Sequence, residues 1–470
     1  MRRLVFALAL LILLAGCGEK KTSPWHQPFS QDIPAVLNAQ DLSQSVVDLR
    51  IAYLLPLSGS SAKVGEAFLN AAMMAQFDLS AQQIETFFID TKGTEQGTKD
   101  ALKLVKSKKP DVILGPVFSA EVAAVQEEGV SEPVISFTSD NAVLGDGVYT
   151  TALLIPEQVD TMVQYACAQG KRRMAVLGPE NKVGELTLNT LQRSVKKCPG
   201  MVVETISLYN PKDVNLAPAV LKVSPKQIDP KKKNLTQAEQ EELAKPIAER
   251  VNFDVLLVAE EGVKLKQVMS LLNYYDMTPR DVMTIGLSGT AVQGKDKSVR
   301  GMYFPAMPIR SEKDFEQMYQ AQFGVKPMPV AAYGYDAFMM AVFLKSRGAL
   351  SVEGVANVGG YKGINGLVRL NKDGTNNRLL DIYQINSYGR PQLVEAAAEN
   401  FEERPQQWFW KESDTQSIAD VQVDLERQKQ QAQEKMEESV DSVVVESVES
   451  VSAGDMADEI TSASEEESGY

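Results

Sequence analysis

The chain has 470 residues, with 48 basic and 62 acidic side chains, one histidine and three cysteines. Its formal charge of −14 gathers at one end: eleven acids and no base lie from Glu437 onward, leaving 51 acids against 48 bases before it. A nearly neutral body argues against nucleic-acid binding. The lone His26 excludes Ser-His-Asp, Cys-His and His-ligated metal sites from the rest of the chain, so no catalytic residue, metal or cofactor is expected.

In "MRRLVFALALLILLAGCGEK", Arg2 and Arg3 precede an apolar run from Leu4 to Ala15. That run falls short of the roughly 20 residues of a membrane span and has the order of a secretory signal. "LLAGC" resembles a bacterial lipobox, which implies that residues 1–16 are removed and Cys17 is lipidated. Gly18 follows where Asp would favour inner-membrane retention, so the analogy implies the outer membrane, periplasmic side. Residues 17–48 lack a sustained period and are expected to form a tether of about 30 Å root-mean-square span, about 100 Å if stretched.

From Leu49 the pattern changes. "RIAYLLP", "IETFFID", "PDVILGP", "PVISFT", "RMAVLGP", "MVVETISLY", "FDVLLVAE" and "VMTIGLS" read as strands, separated by helical stretches such as "EAFLNAAMMAQFDL" and "KVGELTLNTLQRSVKK". Short apolar strands alternating with helices predict βαβ units and parallel sheets. Residues 49–410 are too many for one sheet, and the strand–helix count restarts near Thr150, so two lobes are expected. A polar insertion interrupts the second lobe around residues 225–250, and residues 411–470 read as a low-complexity acidic tail.

Two cysteines besides Cys17 remain. Cys167 falls on the first helix of the second lobe and Cys198 at the end of the next. Such neighbours can bridge in an oxidising compartment, or stay as buried thiols.

The loop in "IAYLLPLSGSSAKVGEAFLNAAMMA" raises three chemistries. A phosphate loop needs Lys and Ser or Thr directly after its second Gly, whereas Glu66 and Ala67 follow Gly65, and G-x-G-x-x-G is absent. "SSAK" (60–63) and "SDN" (139–141) match two motifs of penicillin-recognising serine enzymes, but no K-T-G completes the set. A ligand loop fits instead. Ser58 and Ser60 follow the first strand, Ser119 the third, and Thr138 and Ser139 the fourth, at the sheet edge where open α/β folds bind ligands. Helix N-capping is the competing role for every such hydroxyl.

The ordered set resembles the type I periplasmic binding fold of leucine-binding-like receptors. "IAYLLPLSGSSAKVGEAFLNAAMMA" is similar to that family's first strand, loop and helix, "PDVILGPVFSAEVAAV" to its third unit, and "PVISFTSDNAVL" to the loop meeting a ligand's charged end. "YGYDAFMMAVFL" resembles its late long helix, and "NGLVRLNKDGTNNRLLDIYQI" its closing hairpin with an Asp-Gly turn. The resemblance implies a first lobe of about 49–150 plus 308–347 and a second of about 151–307 plus 348–394. It adds Asn181 and Glu260, from the second lobe, to the cleft set for an unidentified small ligand. It also calls for an aromatic where Val183 stands, which argues against free amino acids.

"LLPLSG" after a lipobox, "VILGP" and "VMSLLNYYDMTPRDVMTIGLSG" are similar to the penicillin-binding-protein activators. These are non-enzymatic outer-membrane lipoproteins whose domain of this fold stimulates a class A penicillin-binding protein, a bifunctional peptidoglycan synthase. The N-terminal helical repeats of the long members are missing here. A solute receptor of a branched-chain-type transporter, or a small-ligand sensor, is the alternative.

Overall fold

The structure is a computed structural model that describes residues 37–38, 48–79, 82–401 and, beyond them, 423, 427, 430 and 431. Cys17, the signal segment, most of the tether and nearly all of the acidic tail lie outside the described residues.

The first lobe opens with β1 (Leu37–Asn38), β2 (Asp48–Leu55), α1 (Ala62–Asp78), β3 (Gln83–Asp90) and α2 (Glu95–Lys108). It continues through β4 (Val112–Leu114), α3 (Ser119–Glu128), β5 (Val134–Ser136) and β6 (Val148–Thr150). The chain then crosses to α4 (Ile155–Ala168), β7 (Arg173–Pro179), α5 (Lys182–Lys196), β8 (Val202–Tyr209), α6 (Ala217–Lys222) and α7 (Gln237–Ala244). β9 (Val255–Val258), α8 (Gly262–Tyr274), β10 (Met283–Gly286) and β11 (Tyr303–Ala306) complete that run. It returns for α9 (Ile309–Phe323), α10 (Ala331–Ser346), β12 (Tyr361–Gly363), β13 (Gly366–Leu370) and β14 (Asn376–Arg378), and crosses again to β15 (Asp381–Ile385) and β16 (Pro391–Glu395).

Two main sheets result. One is β3-β2-β4-β5-β6, parallel throughout, and the other is β16-β15-β11-β10-β9-β7-β8, with β15 and β16 antiparallel at its edge. This is the α/β type I periplasmic binding fold. β2 is a near-continuous apolar run, buried from Ile51 to Leu55, because helices cover both faces of its sheet. α10 is apolar on all sides and accordingly sits in the core, with α1 packed along it. Tyr53 Oη reaches across from β2 to donate 2.8 Å to the Gly334 carbonyl.

Gly65 answers part of the question its loop raises. A Cβ there would sit 2.2 Å from the Pro56 carbonyl oxygen, so glycine lets α1 close on the end of its strand. Gly184 stands in the same relation to Pro179 in the second lobe.

Three expectations are corrected. Residues 348–380 were assigned to the second lobe, but Val355, Tyr361, Val368 and Leu370 pack in the first-lobe core with Tyr53 and Phe338. The apolar faces of β12 and β13 cover the α10 side of that core, which places the crossing after Arg378. The closing hairpin is accordingly shorter than the similar segment: β13 and β14 pair about the Asp373–Gly374 turn, and β15 departs for the other sheet. Finally, Leu37–Asn38 in the tether pairs with β12, since backbone pairing at a sheet edge needs no apolar periodicity. The polar insertion holds one short helix, α7, opened by a capping box between Thr236 and Glu239.

Candidate functional site

Strand order brings the loops after β2, β4 and β5 side by side at one edge, each about 4.8 Å from the next at the strand level. Ser58, Ser60, Ser119, Thr138 and Ser139 therefore share one end of the first lobe.

Their chemical states differ. Asp90, the last residue of β3, takes hydrogen bonds from Leu57 N (2.9 Å), Ser58 N (3.2 Å), Ser58 Oγ (2.5 Å) and Lys92 N (2.8 Å). Partial burial pushes its pKa upward, but the hydrogen bonds from Ser58, Lys92 and Leu57 outweigh this and leave it below the usual range. Asp90 is thus a built-in anion on the loop's donors. Thr138 is buried, and its Oγ1 accepts from Asp140 N at 3.1 Å. Ser60 and Ser139 are exposed and Ser119 is half-buried at the first turn of α3.

Beneath these loops sits Glu121. It is fully buried, accepting from Thr91 Oγ1 and, at 2.9 Å, from Phe118 N, so it ties the loop after β3 to that after β4. Desolvation raises its pKa above the ordinary glutamate value. Sequence reading missed both acids. The one signal was an Asp ending "FFID", where a strand meets a loop.

In the second lobe, Asn181 is the N-cap of α5, its Oδ1 accepting from Val183 N (2.9 Å) and Gly184 N (3.3 Å). Glu260 accepts from the Tyr209 hydroxyl, whose pKa is raised by burial and by that carboxylate. Glu261 accepts from Gly289 N at 3.0 Å. These adjacent acids brace loops of their own lobe.

The densest polar construction lies where the chain crosses between lobes, at residues 151–154, 307–308 and 379–380. Asn376 Nδ2 donates to the carbonyls of Thr150 (3.0 Å) and Ala152 (2.9 Å). Arg378, only 1% exposed, donates to the Thr151 carbonyl and at 2.8 Å to the Asn365 carbonyl. Tyr333 Oη accepts from Leu153 N (3.2 Å) on the first crossing and lies 3.7 Å from Met307 Sδ on the second. Asp336 accepts from Ile364 N and Asn365 N, both at 2.8 Å; burial raises its pKa to about 6.

Cys167 and Cys198 form a disulfide joining α4 to the turn after α5. Among the described residues no group of acidic, histidine or cysteine side chains could hold a metal, and no helix is long and apolar enough to cross a membrane.

A family profile described as "Periplasmic binding protein" matches residues 48–390, and the chain belongs to that family, with a type I, leucine-binding-like domain. No curated protein matches its sequence. Among solved structures it is similar to a branched-chain amino acid ABC transporter periplasmic ligand-binding protein from Burkholderia xenovorans, with TM-score 0.56, 13% identity, and coverage of 76% of this chain and 96% of that one. It is also similar to an ABC transporter substrate-binding protein from Sphaerobacter thermophilus, with TM-score 0.55, 14% identity, and coverage of 77% and 100%. A third is the C-domain of LpoA (YraM) from Haemophilus influenzae, a regulator of PBP1A, with TM-score 0.54, 16% identity, and coverage of 73% and 99%. At these identities the likeness is one of fold.

Proposed function

We propose that the protein is a non-enzymatic, outer-membrane-anchored lipoprotein that binds and activates a class A penicillin-binding protein. The observation that carries this is Asp90. Its carboxylate already holds the Leu57 and Ser58 amides and the Ser58 hydroxyl, donors that an anionic solute would need. Val183 leaves the opposite lobe without an aromatic wall, and Asn181 and Glu260 are bound to their own lobe. The fold is also that of a PBP1A regulator's domain. The lipobox-like Cys17 and the outer-membrane address belong to this same reading.

A second reading is a solute receptor or ligand sensor. The exposed hydroxyls of Ser60 and Ser139, with Ser119 beside them, favour it, as does the likeness to transporter binding proteins.

One experiment separates them. A bound solute stabilises by RT ln(1 + [L]/Kd), about 2.7 kcal/mol at a hundredfold excess over Kd. Free Leu, Ile and Val should leave the melting temperature unchanged, while the chain lacking residues 1–17 raises the glycan- or peptide-joining rate of a class A synthase. A clear melting shift with no effect on any synthase would reverse the ranking.

A further inference from the structure

The second lobe carries a groove of about 390 Å³ outside the cleft, lined by Val214, Leu216, Val263, Lys266, Ser270 and Leu271. It opens between the loop after β8 and the outer face of α8. Leu216 forms its buried floor, whereas Val214 and Val263 stand 96% and 69% exposed. Two valines so placed cost solubility unless something covers them.

The groove's surroundings are basic. Lys266 lines it, and the neighbouring stretches add Lys212, Lys222, Lys226 and Lys264 against Asp213, Glu260 and Glu261, five bases to three acids. The body as a whole is nearly neutral, so this is a local excess.

The chain contains one segment of matching chemistry. In "VDSVVVESVESV" (440–451), Val440, Val444, Val448 and Val451 recur at i, i+4, i+8 and i+11, the spacing of a single helical stripe. Asp441, Glu446 and Glu449 lie among them, inside a stretch of eleven acids without a base. An amphipathic segment with apolar anchors and acidic flanks fits a basic-rimmed apolar groove.

It can also reach. β16 and β8 are the opposite edges of the seven-stranded sheet, six strand spacings or about 29 Å apart. The 39 residues from Phe401 to Val440 would span about 58 Å even if wholly helical, and about 130 Å fully extended. Tethering at that distance supplies an effective concentration near the millimolar range, which a free partner must exceed.

We infer that this groove is the docking surface for the chain's own residues 440–451. The inference does not rest on the proposed function, since the groove lies apart from the cleft.

The test places p-benzoylphenylalanine at Val263 in the full chain and irradiates it near 1 μM. Mass spectrometry should find cross-links to residues 440–451 of the same chain, with a yield unchanged on dilution. Val444→Asp with Val448→Asp should lower that yield about tenfold, because two apolar anchors become charges. Raising salt should weaken it further, through screening of the lysine contacts. Cross-links to a second copy, to another protein, or only to groove neighbours would overturn the inference. So would an undiminished yield in the double variant.

Discussion

The carboxylate of Glu157, on the first helix of the second lobe, accepts the backbone N–H of Arg378 at 3.3 Å, and both residues are 1% exposed. A buried acid thus fixes the last crossing of the chain against the first. Arg378 returns the arrangement by donating to the Thr151 carbonyl. The joint between lobes is therefore a buried polar network whose charged members, Glu157, Asp336 and Arg378, cannot be removed singly without leaving a charge unmatched.

Arg378→Ala should cost about 3–5 kcal/mol, the usual penalty for stripping one partner from a buried charged cluster. Urea denaturation would measure it. Arg378→Met, similar in length and without charge, should also destabilise, because Glu157 and Asp336 stay buried. A loss below about 1 kcal/mol would mean that water enters the joint freely.

Asp336 predicts a pH dependence. Its folded pKa is raised from 3.8 to about 6 by burial, so between those values the folded chain holds more protons than the unfolded chain. Its contribution to stability is full below about pH 3.8 and is lost as pH rises through 6. Relative to Asp336→Asn, the native protein should lose on the order of 3 kcal/mol over that window. Chemical denaturation of both proteins at pH 4 and 7 tests this; parallel curves would refute it.

The disulfide closes a loop with a sequence separation of 31. Chain-entropy arguments give about 3–4 kcal/mol for a loop of that size. Thiol titration of the unfolded, unreduced protein should find neither Cys167 nor Cys198 free. Cys167→Ala with Cys198→Ala should lower the urea midpoint accordingly.

Replacing Cys17 with Ala should release the protein from membranes, since lipidation is the anchor the lipobox-like segment implies. Continued sedimentation with the outer membrane would end the lipoprotein reading.

Much of the fold was legible because βαβ units write themselves locally. β2 is readable as "RIAYLL" without knowing its neighbours, and α10 as "YGYDAFMMAVFL", apolar but for Asp336. The lobe assignment of residues 348–380 was not readable, since "YKG" and "GLVRL" are apolar enough to cover either lobe. What decides is the α10 surface beside them. The cleft hydroxyls were visible as residue types at strand ends, but their occupation was not. Nothing in "FFID" reveals that Asp90 folds back onto Leu57 and Ser58. Likewise Arg378 sits in a polar stretch, "NKDGTNNRLL", that looks like surface loop. Its burial depends on Thr151 and Asn365, 227 and 13 residues away.

The hydrogen bond from Tyr53 to Gly334 spans 281 positions of sequence. At about 5–20 residues per second, the ribosome makes β2 roughly 15–55 s before the helix that must cover it. In that interval Phe68, Ala72 and the apolar face of β2 have no α10 to lie against. The run from α4 to β11, by contrast, is contiguous and carries nearly all of its core, Ile382 of β15 excepted, between Val159 and Met302. The lobe begun first therefore waits longest for its covering helix, whereas the second lobe lacks only its antiparallel edge, β15 and β16, once β11 is made. An N-terminal fragment ending near Thr150 is accordingly a sticky, helix-starved sheet rather than a small stable protein, and whatever escorts the nascent chain must hold that half longest.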